Sequence, residues 1–383
     1  MIWIGEQSRF VIVFLFINLL IALWNTWGTP RLERYRSLSR WPFVSILVPA
    51  RNEEDVIDAC VRSLLEQDYP SFEVLVLDDH STDRTPEILQ RLKEEYPRLQ
   101  VLQGAPLPLG WLGKHWACHQ LAQHARGELL LFTDADTYHR PNALRHAVAA
   151  LETLQVDVLS VFPHQEMLTW GERLTIPFIS FGIYAFLPVA LAYRLRWPSL
   201  TVIIGQFMLF RRRVYDAIGG YEAVRNDVID DVSLGRRAVS QGYHVRLLDG
   251  RRSVTCRMYS GFWDAVDGFS KNVFAFFGYH VLLYLLAWYL IALLFIWPPL
   301  VVLGYALGNP VAHFPLSHAL LAMAEGLILW GMAYQRFRLP FWMAALYPLN
   351  TLVFVLIGLR SLVWSLTGHA VWKDRAFVPP LRW

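Results

Sequence analysis

The sequence predicts an α/β domain built on a parallel sheet and carried between membrane helices. Three observations predict it. Short apolar strand patterns alternate with helical patterns from Val44 to Phe132, several of those strands end abruptly in acidic or polar residues, and long uncharged runs lie toward both ends of the chain.

The membrane helices follow from how the apolar residues are distributed. Of 383 residues 55% are hydrophobic and 17% charged. Phe10 to Trp27 is an uncharged run of spanning length, and Tyr279 to Val302, Ser317 to Tyr334 and Pro340 to Val363 are three more candidates, the last interrupted by Arg360. The N-terminal run lacks a basic start and a small-residue cleavage pattern, while Trp24 and Trp27 suit an interfacial belt, so an uncleaved anchor is expected. Arg31, Arg34, Arg36 and Arg40 follow it at once, which places the central block in the cytoplasm by the positive-inside rule. Three later spans would put the C-terminus outside, against the charges of Lys373, Arg375 and Arg382, so the number of C-terminal crossings stays open. The organisation expected is an anchor over 1–30, a cytoplasmic domain over 31–275, transmembrane helices over 276–370 and a tail over 371–383.

The domain opens with a buried strand, Val44 to Pro49, then Ala50-Arg51-Asn52-Glu53-Glu54 and a helix through Leu65. A second strand, Phe72 to Leu77, ends in Asp78-Asp79-His80-Ser81-Thr82-Asp83 before a helix from Thr85 to Tyr96 that Thr85 can cap. Gln100 to Leu102 reads as a third strand, Lys114 to Ala125 as a helix, and Glu128 to Phe132 as a fourth strand. Alternation of this kind implies a parallel sheet with helices on both faces, and ligands of such sheets gather at the carboxyl ends of the strands. The net charge of +3 is small, and the basic residues cluster beside apolar spans, which argues against a nucleic-acid partner. Cys60, Cys118 and Cys256 have no paired or metal-ligand spacing and read as buried thiols.

The fourth strand runs straight into Thr133-Asp134-Ala135-Asp136. Two carboxylates one residue apart suit a hard divalent ion, Mg²⁺ or Mn²⁺, with water and phosphate completing the shell. The same aspartates also suit turn chemistry, capping a helix that begins near Pro141. Convergence decides between these readings: Arg51, Asn52 and Glu53, then Asp78 and Asp79, then Asp134 and Asp136 all stand at strand ends, and repelling charges gain nothing by meeting without a shared ligand. A nucleotide bound through Mg²⁺ satisfies them. Lys114, in Gly110-Trp111-Leu112-Gly113-Lys114, adds a contact to the diphosphate or is a solvated surface lysine.

Four ordered segments, Ser45-Ile46-Leu47-Val48-Pro49-Ala50-Arg51-Asn52-Glu53, Leu77-Asp78-Asp79-His80-Ser81-Thr82-Asp83, Asp134-Ala135-Asp136 and Asp230-Asp231, resemble the motifs of inverting family 2 glycosyltransferases with the GT-A fold. The resemblance covers roughly residues 42 to 275, and Pro108 to Lys114 is similar to the membrane-bound branch that includes hopene-associated, carotenoid-acid and ceramide glucosyltransferases. It implies a Rossmann-like, mainly parallel sheet. It also implies a donor site of Pro49, Ala50, Arg51, Asn52, Glu53, Asp79, Lys114 and Asp134, in which Asp79 contacts the base, Asp134 the ribose or diphosphate, and Asp136, with Asp134, the metal. The donor implied is a nucleotide-sugar, foremost a UDP-sugar, and the acceptor a lipid of carotenoid, hopanoid, sphingoid or glycerolipid type. Asp231 is the implied catalytic base, removing the acceptor proton during inverting transfer. Asp230 stands where the family usually has glutamate, and two adjacent carboxylates are expected to raise one another's pKa.

Acceptor-side candidates are Asp230, Gln206, Trp263 and Lys271. Leu168 to Phe210, with Phe178, Phe181, Tyr184, Phe186, Leu187 and Val189, reads as a membrane-surface helix or lipid-acceptor tunnel, or else as an extra core helix. Processive synthases of the family carry Gln-x-x-Arg-Trp near the position of Asp267 to Asn272, and this chain does not, which favours single transfer over polymer export. A non-catalytic nucleotide-sugar-binding scaffold is the alternative of another class. Retention of Asp79, Asp136 and Asp231 argues against it.

Overall fold

A computed structural model describes residues 2–311, 313–367, 371–372 and 375–376, with side chains described for 6–311 and 313–367. Lys373 and Arg382, and the side chain of Arg375, lie outside the described residues, so the expectation resting on their charges does too. The chain opens with α1 (Ile2–Gly28) and continues through β1 (Val44–Ala50), α2 (Ile57–Leu65), β2 (Phe72–Asp78), α3 (Thr85–Glu95), β3 (Leu99–Gln103), α4 (Gly113–His124), β4 (Leu129–Phe132), β5 (Thr137–His139), α5 (Ala143–Thr153), β6 (Val158–Phe162) and β7 (His164–Gln165). Then come α6 (Trp170–Thr175), α7 (Pro177–Phe186), α8 (Val189–Leu195), β8 (Met208–Arg211), α9 (Arg212–Ala217), α10 (Asp230–Ser240), β9 (Val245–Asp249) and β10 (Val254–Cys256). Five helices close the chain: α11 (Phe262–Phe276), α12 (Val281–Phe295), α13 (Trp297–Ala306), α14 (Leu316–Phe337) and α15 (Tyr347–Thr367).

Contacts divide the chain into two units, one of residues Gly28–Glu166 and Val189–Met258, the other of α1, Met167–Pro188 and everything from Tyr259 onward. The first holds a seven-stranded sheet in the order β3-β2-β1-β4-β8-β6-β9 and a three-stranded sheet in the order β5-β10-β7. Alternate residues of each strand face opposite sides. Ile46, Val48, Val74, Val76, Leu129 and Leu131 pack with Ile57, Val61 and Leu64 of α2 and Leu144, Ala147 and Val148 of α5. Leu47, Leu75, Leu77, Leu130 and Phe132 pack with Ala117, Cys118 and Leu121 of α4 and Leu234 and Ala238 of α10. Each fully buried Val, Leu or Phe is worth roughly 1.5–3 kcal/mol, so these two apolar faces hold the sheet between its helices. All three cysteines are free and buried.

The sheet is not wholly parallel. β8 runs antiparallel to both β4 and β6, with Phe132 opposite Met208. That register has a functional consequence: the residues just before Met208 lie beside those just after Phe132. Thr85 does not cap α3, because Arg84 holds the cap position while the Thr85 hydroxyl accepts from the Glu53 backbone N–H at 2.8 Å.

In the second unit α1, α14 and the stretch Phe341–Thr367 are long and apolar enough to cross a membrane. The expected span from Tyr279 to Val302 is instead two helices, α12 and α13, bent by 42° where Pro298 and Pro299 begin a new turn after Ile296. Arg360, the charge inside the last apolar run, is neutralised by Asp267 at 2.6 Å and lies 4.0 Å from the Trp364 ring centroid. Leu168 to Phe210 is no single surface helix. It breaks into α6, α7 and α8, and the aromatic residues of α7 turn inward: Phe181 stacks on Trp330 at 4.0 Å and Phe178 on Phe354 at 4.3 Å.

Candidate active site

The loop after β1 is knitted to the loop after β2. Asn52, at φ 54°, turns its backbone N–H to the Ser81 hydroxyl at 2.9 Å, and its side-chain oxygen accepts from the Thr82 N–H at 2.8 Å. His80 also has positive φ, 58°, and neighbouring left-handed residues of this kind store strain where a loop is shaped for use. The Arg51 guanidinium donates to the Asp79 carbonyl at 2.8 Å and lies 3.8 Å from its carboxylate. Asp79 is 3% exposed, and its own N–H closes onto the carbonyl of Ala50. Asp78 does something simpler, accepting from the Ser81 N–H as a turn residue.

At the end of β4 the two carboxylates take different surroundings. Asp134 pairs with Lys114 Nζ at 2.6 Å, so the lysine, though partly exposed, is not a free surface charge. Burial, then the charges of Asp134 and Glu53, push Asp136 up to about 7, and its Oδ1 is buried without a hydrogen-bond partner. Asp134 and Asp136 do not cap α5, whose cap position is held by Asn142. No group of three or more His, Cys, Asp or Glu among the described residues could hold a metal ion by itself. An orphaned carboxylate oxygen beside a second carboxylate nevertheless fits a hard cation whose other ligands are phosphate and water.

Asp231 is the second residue of α10. Its Oδ2 accepts from the Gly205 N–H at 2.8 Å and its Oδ1 from the Val232 N–H at 2.7 Å. A Cβ on Gly205 would stand 3.4 Å from Asp231 Oδ2 and 3.7 Å from Lys114 Nζ, ordinary contact distances that place this backbone against both side chains. Burial and the neighbouring Asp230 raise Asp231 to about 7. Mutual elevation of the pair, however, does not occur. Asp230 is held below the usual carboxylate range, because Lys114 and His115 favour its charge and Tyr221 donates a hydroxyl to it at 3.0 Å, outweighing its burial.

The acceptor-side expectations separate. Gln206 is buried, and its side-chain oxygen accepts from the Gln165 amide at 2.8 Å. Trp263 and Lys271 belong to α11 in the other unit, where Trp263 is exposed and packs edge-on against Phe262. Sequence reasoning missed His115, Tyr221 and Gly205. His115 lies one residue beyond Lys114 and bonds the carbonyl of Asp227, so only the fold joins it to Asp230.

Residues 45–219 match the family model described as glycosyl transferase family 2. A beta-monoglucosyldiacylglycerol synthase of Trichormus variabilis is 37% identical over 142 residues, covering 37% of this chain and 30% of that protein. A 4,4'-diaponeurosporenoate glycosyltransferase of Staphylococcus aureus is 27% identical over 238 residues, covering 60% of each. The chain thus spans only part of the length of the curated relatives it matches. Among solved structures, a mannosyltransferase from Pyrobaculum calidifontis in complex with GDP-Man and Mn²⁺ superposes with a TM-score of 0.53 at 20% identity, over 94% of this chain and 99% of that one. Residues 45–219 thus form a glycosyl transferase family 2 domain, and the strand order and the superposition agree on a GT-A-type fold.

Proposed function

We propose that the protein is an inverting glycosyltransferase that moves a sugar from a nucleotide-diphospho-sugar to a hydroxyl or carboxyl of a membrane lipid. The observation that carries this reading is the pairing of a donor-side cluster, Arg51, Asp79, Lys114, Asp134 and Asp136, with a partly buried carboxylate, Asp231, whose affinity for a proton is set near neutrality. A general base works best when its pKa lies close to the working pH.

Asp79 and the strained loops after β1 and β2 take the nucleoside, while Lys114 offers positive charge to the diphosphate. Asp136 and Asp134 would hold a divalent cation, Mg²⁺ or Mn²⁺, which when bound neutralises the charge developing on the departing diphosphate. Asp231 accepts the acceptor's proton as the nucleophile attacks the anomeric carbon from the opposite face, and the configuration inverts. Gly205 and Val232 hold both carboxylate oxygens, so the base does not have to be ordered during the reaction.

A lipid acceptor is supported by the membrane-crossing helices and by the printed activities of the relatives, a glucosyldiacylglycerol synthase and a carotenoid-acid glycosyltransferase. Arg31, Arg34, Arg36 and Arg40 after α1 support a cytoplasmic catalytic unit at the plasma membrane. The test is release of nucleoside diphosphate from a panel of UDP- and GDP-sugars by detergent-purified protein with Mn²⁺ or Mg²⁺, with and without total lipid extract. Lipid-stimulated release from one donor is expected. Measurable nucleotide binding without release from any donor would favour the scaffold.

A further inference from the structure

We infer that His139, acting through Thr133 and Thr137, is a positioning residue that keeps the Asp134–Asp136 turn in register with the Gly205–Gln206 loop on which Asp231 rests. The inference rests on the function proposed above. It assigns a role to a buried histidine that neither donor nor acceptor needs to touch.

One arrangement of protons gives every group in this cluster a partner. The Thr133 hydroxyl donates to the carbonyl of Gln206 at 2.8 Å, and the Thr137 hydroxyl donates to the carbonyl of Asp134 at 2.8 Å. Each hydroxyl has one proton, so neither has any left for the other, although their oxygens are 3.0 Å apart. His139 Nε2 stands 3.1 Å from the Thr133 oxygen and 3.0 Å from the Thr137 oxygen, and the tautomer with its hydrogen on Nε2 gives both oxygens a donor. The imidazole is fixed independently of the two threonines. Its backbone N–H donates to the Ser63 hydroxyl of α2 at 3.0 Å, its strand pairs with Val254 of β10, and Phe207 stacks on the ring at 5.6 Å. Burial disfavours the charged ring, so the imidazole is neutral here.

The brace spans the two ends of the site. One arm ends on the carbonyl of Asp134, beside the donor-side carboxylates, and the other on the carbonyl of Gln206. The adjacent Gly205 N–H holds Asp231. Without the Nε2 proton, two hydroxyl oxygens would face each other in a dry interior, and the turn and the loop would move apart.

His139→Phe keeps the stack on Phe207 and removes the donor, while His139→Gln returns an N–H to the ε position. Wild type and both variants are compared for lipid-dependent nucleoside diphosphate release, Mn²⁺-dependent nucleotide binding and Tm. For His139→Phe kcat is expected to fall about ten- to a hundred-fold with nucleotide binding retained, as a sub-ångström to ångström misplacement would cause, and His139→Gln is expected to recover most of it. Wild-type kcat in His139→Phe, or a His139→Gln as slow as His139→Phe, overturns the inference. Should His139→Phe fail to fold, Thr133→Val and Thr137→Val each carry the same expectation, and wild-type kcat in both would overturn it. A wild-type protein that releases nothing from any donor overturns the proposed function itself, and the positioning role falls with it.

Discussion

The turn after β4 and the start of α10 each present two aspartates, and the two regions treat them in opposite ways. At the turn the pair is split by position: Asp134 points to Lys114, and Asp136 is left buried with an unpartnered oxygen. At the helix start the pair is split by hydrogen bonding: Asp230 is held ionised by Lys114, His115 and Tyr221, while Asp231 meets two backbone N–H groups and is nonetheless raised by burial and by Asp230. In the function proposed above the first region would hold a cation and the second would take a proton. Lys114 bears on both pairs, and what separates them is what else surrounds each one.

The largest effect that would break this comparison is expected at Asp231. Asp231→Asn should lower kcat for lipid-dependent transfer by about 10²–10⁴-fold while Mn²⁺-dependent nucleotide binding persists, because only the proton acceptor is lost. The same variant should have a higher Tm at neutral pH. A carboxylate whose folded pKa is raised destabilises the fold once it ionises, so stability falls as pH climbs from the ordinary carboxylate range toward about 7, and the amide escapes that penalty. Asp136→Asn should show the converse, with Mn²⁺-dependent nucleotide binding itself weakened and kcat/KM down by about 10²-fold or more.

A smaller effect sharpens the comparison at α10. Transfer should rise with pH through about 7 as Asp231 loses its proton. Asp230→Asn removes the neighbouring negative charge and should move that limb roughly half to one unit toward lower pH, read from the pH profile of kcat. The smallest effect is expected below the β4 turn, at Cys60, which only backs Asp134 and Thr137. Cys60→Ala should cost on the order of 1 kcal/mol in a denaturation experiment and leave the pH limb where it is.

What the sequence made legible depends on how local the cause was. β1, β2 and β4 are continuous apolar runs ending in acids, so their existence, their parallel pairing and the gathering of Asp79, Asp134 and Asp136 followed from pattern alone. Asp231 was reached through resemblance, since two acids at a helix start are also ordinary dipole chemistry. The reversed strand β8 left no such mark: Met208-Leu209-Phe210 reads the same in either direction, and only the pairing of Phe132 with Met208 sets Gly205 beside Asp231. Likewise the inward turn of Phe178 and Phe181 depends on Phe354 and Trp330, respectively 176 and 149 residues away along the chain, which no local window contains.

The most direct test of the account is a paired measurement on Asp231→Asn and wild type: Mn²⁺-dependent nucleotide binding and lipid-stimulated nucleoside diphosphate release from the same detergent-purified preparations. Unchanged binding with release reduced by about 10²-fold or more is the predicted result. Release at the wild-type rate from Asp231→Asn would contradict the assignment of the base and, with it, the division of labour between the β4 turn and α10.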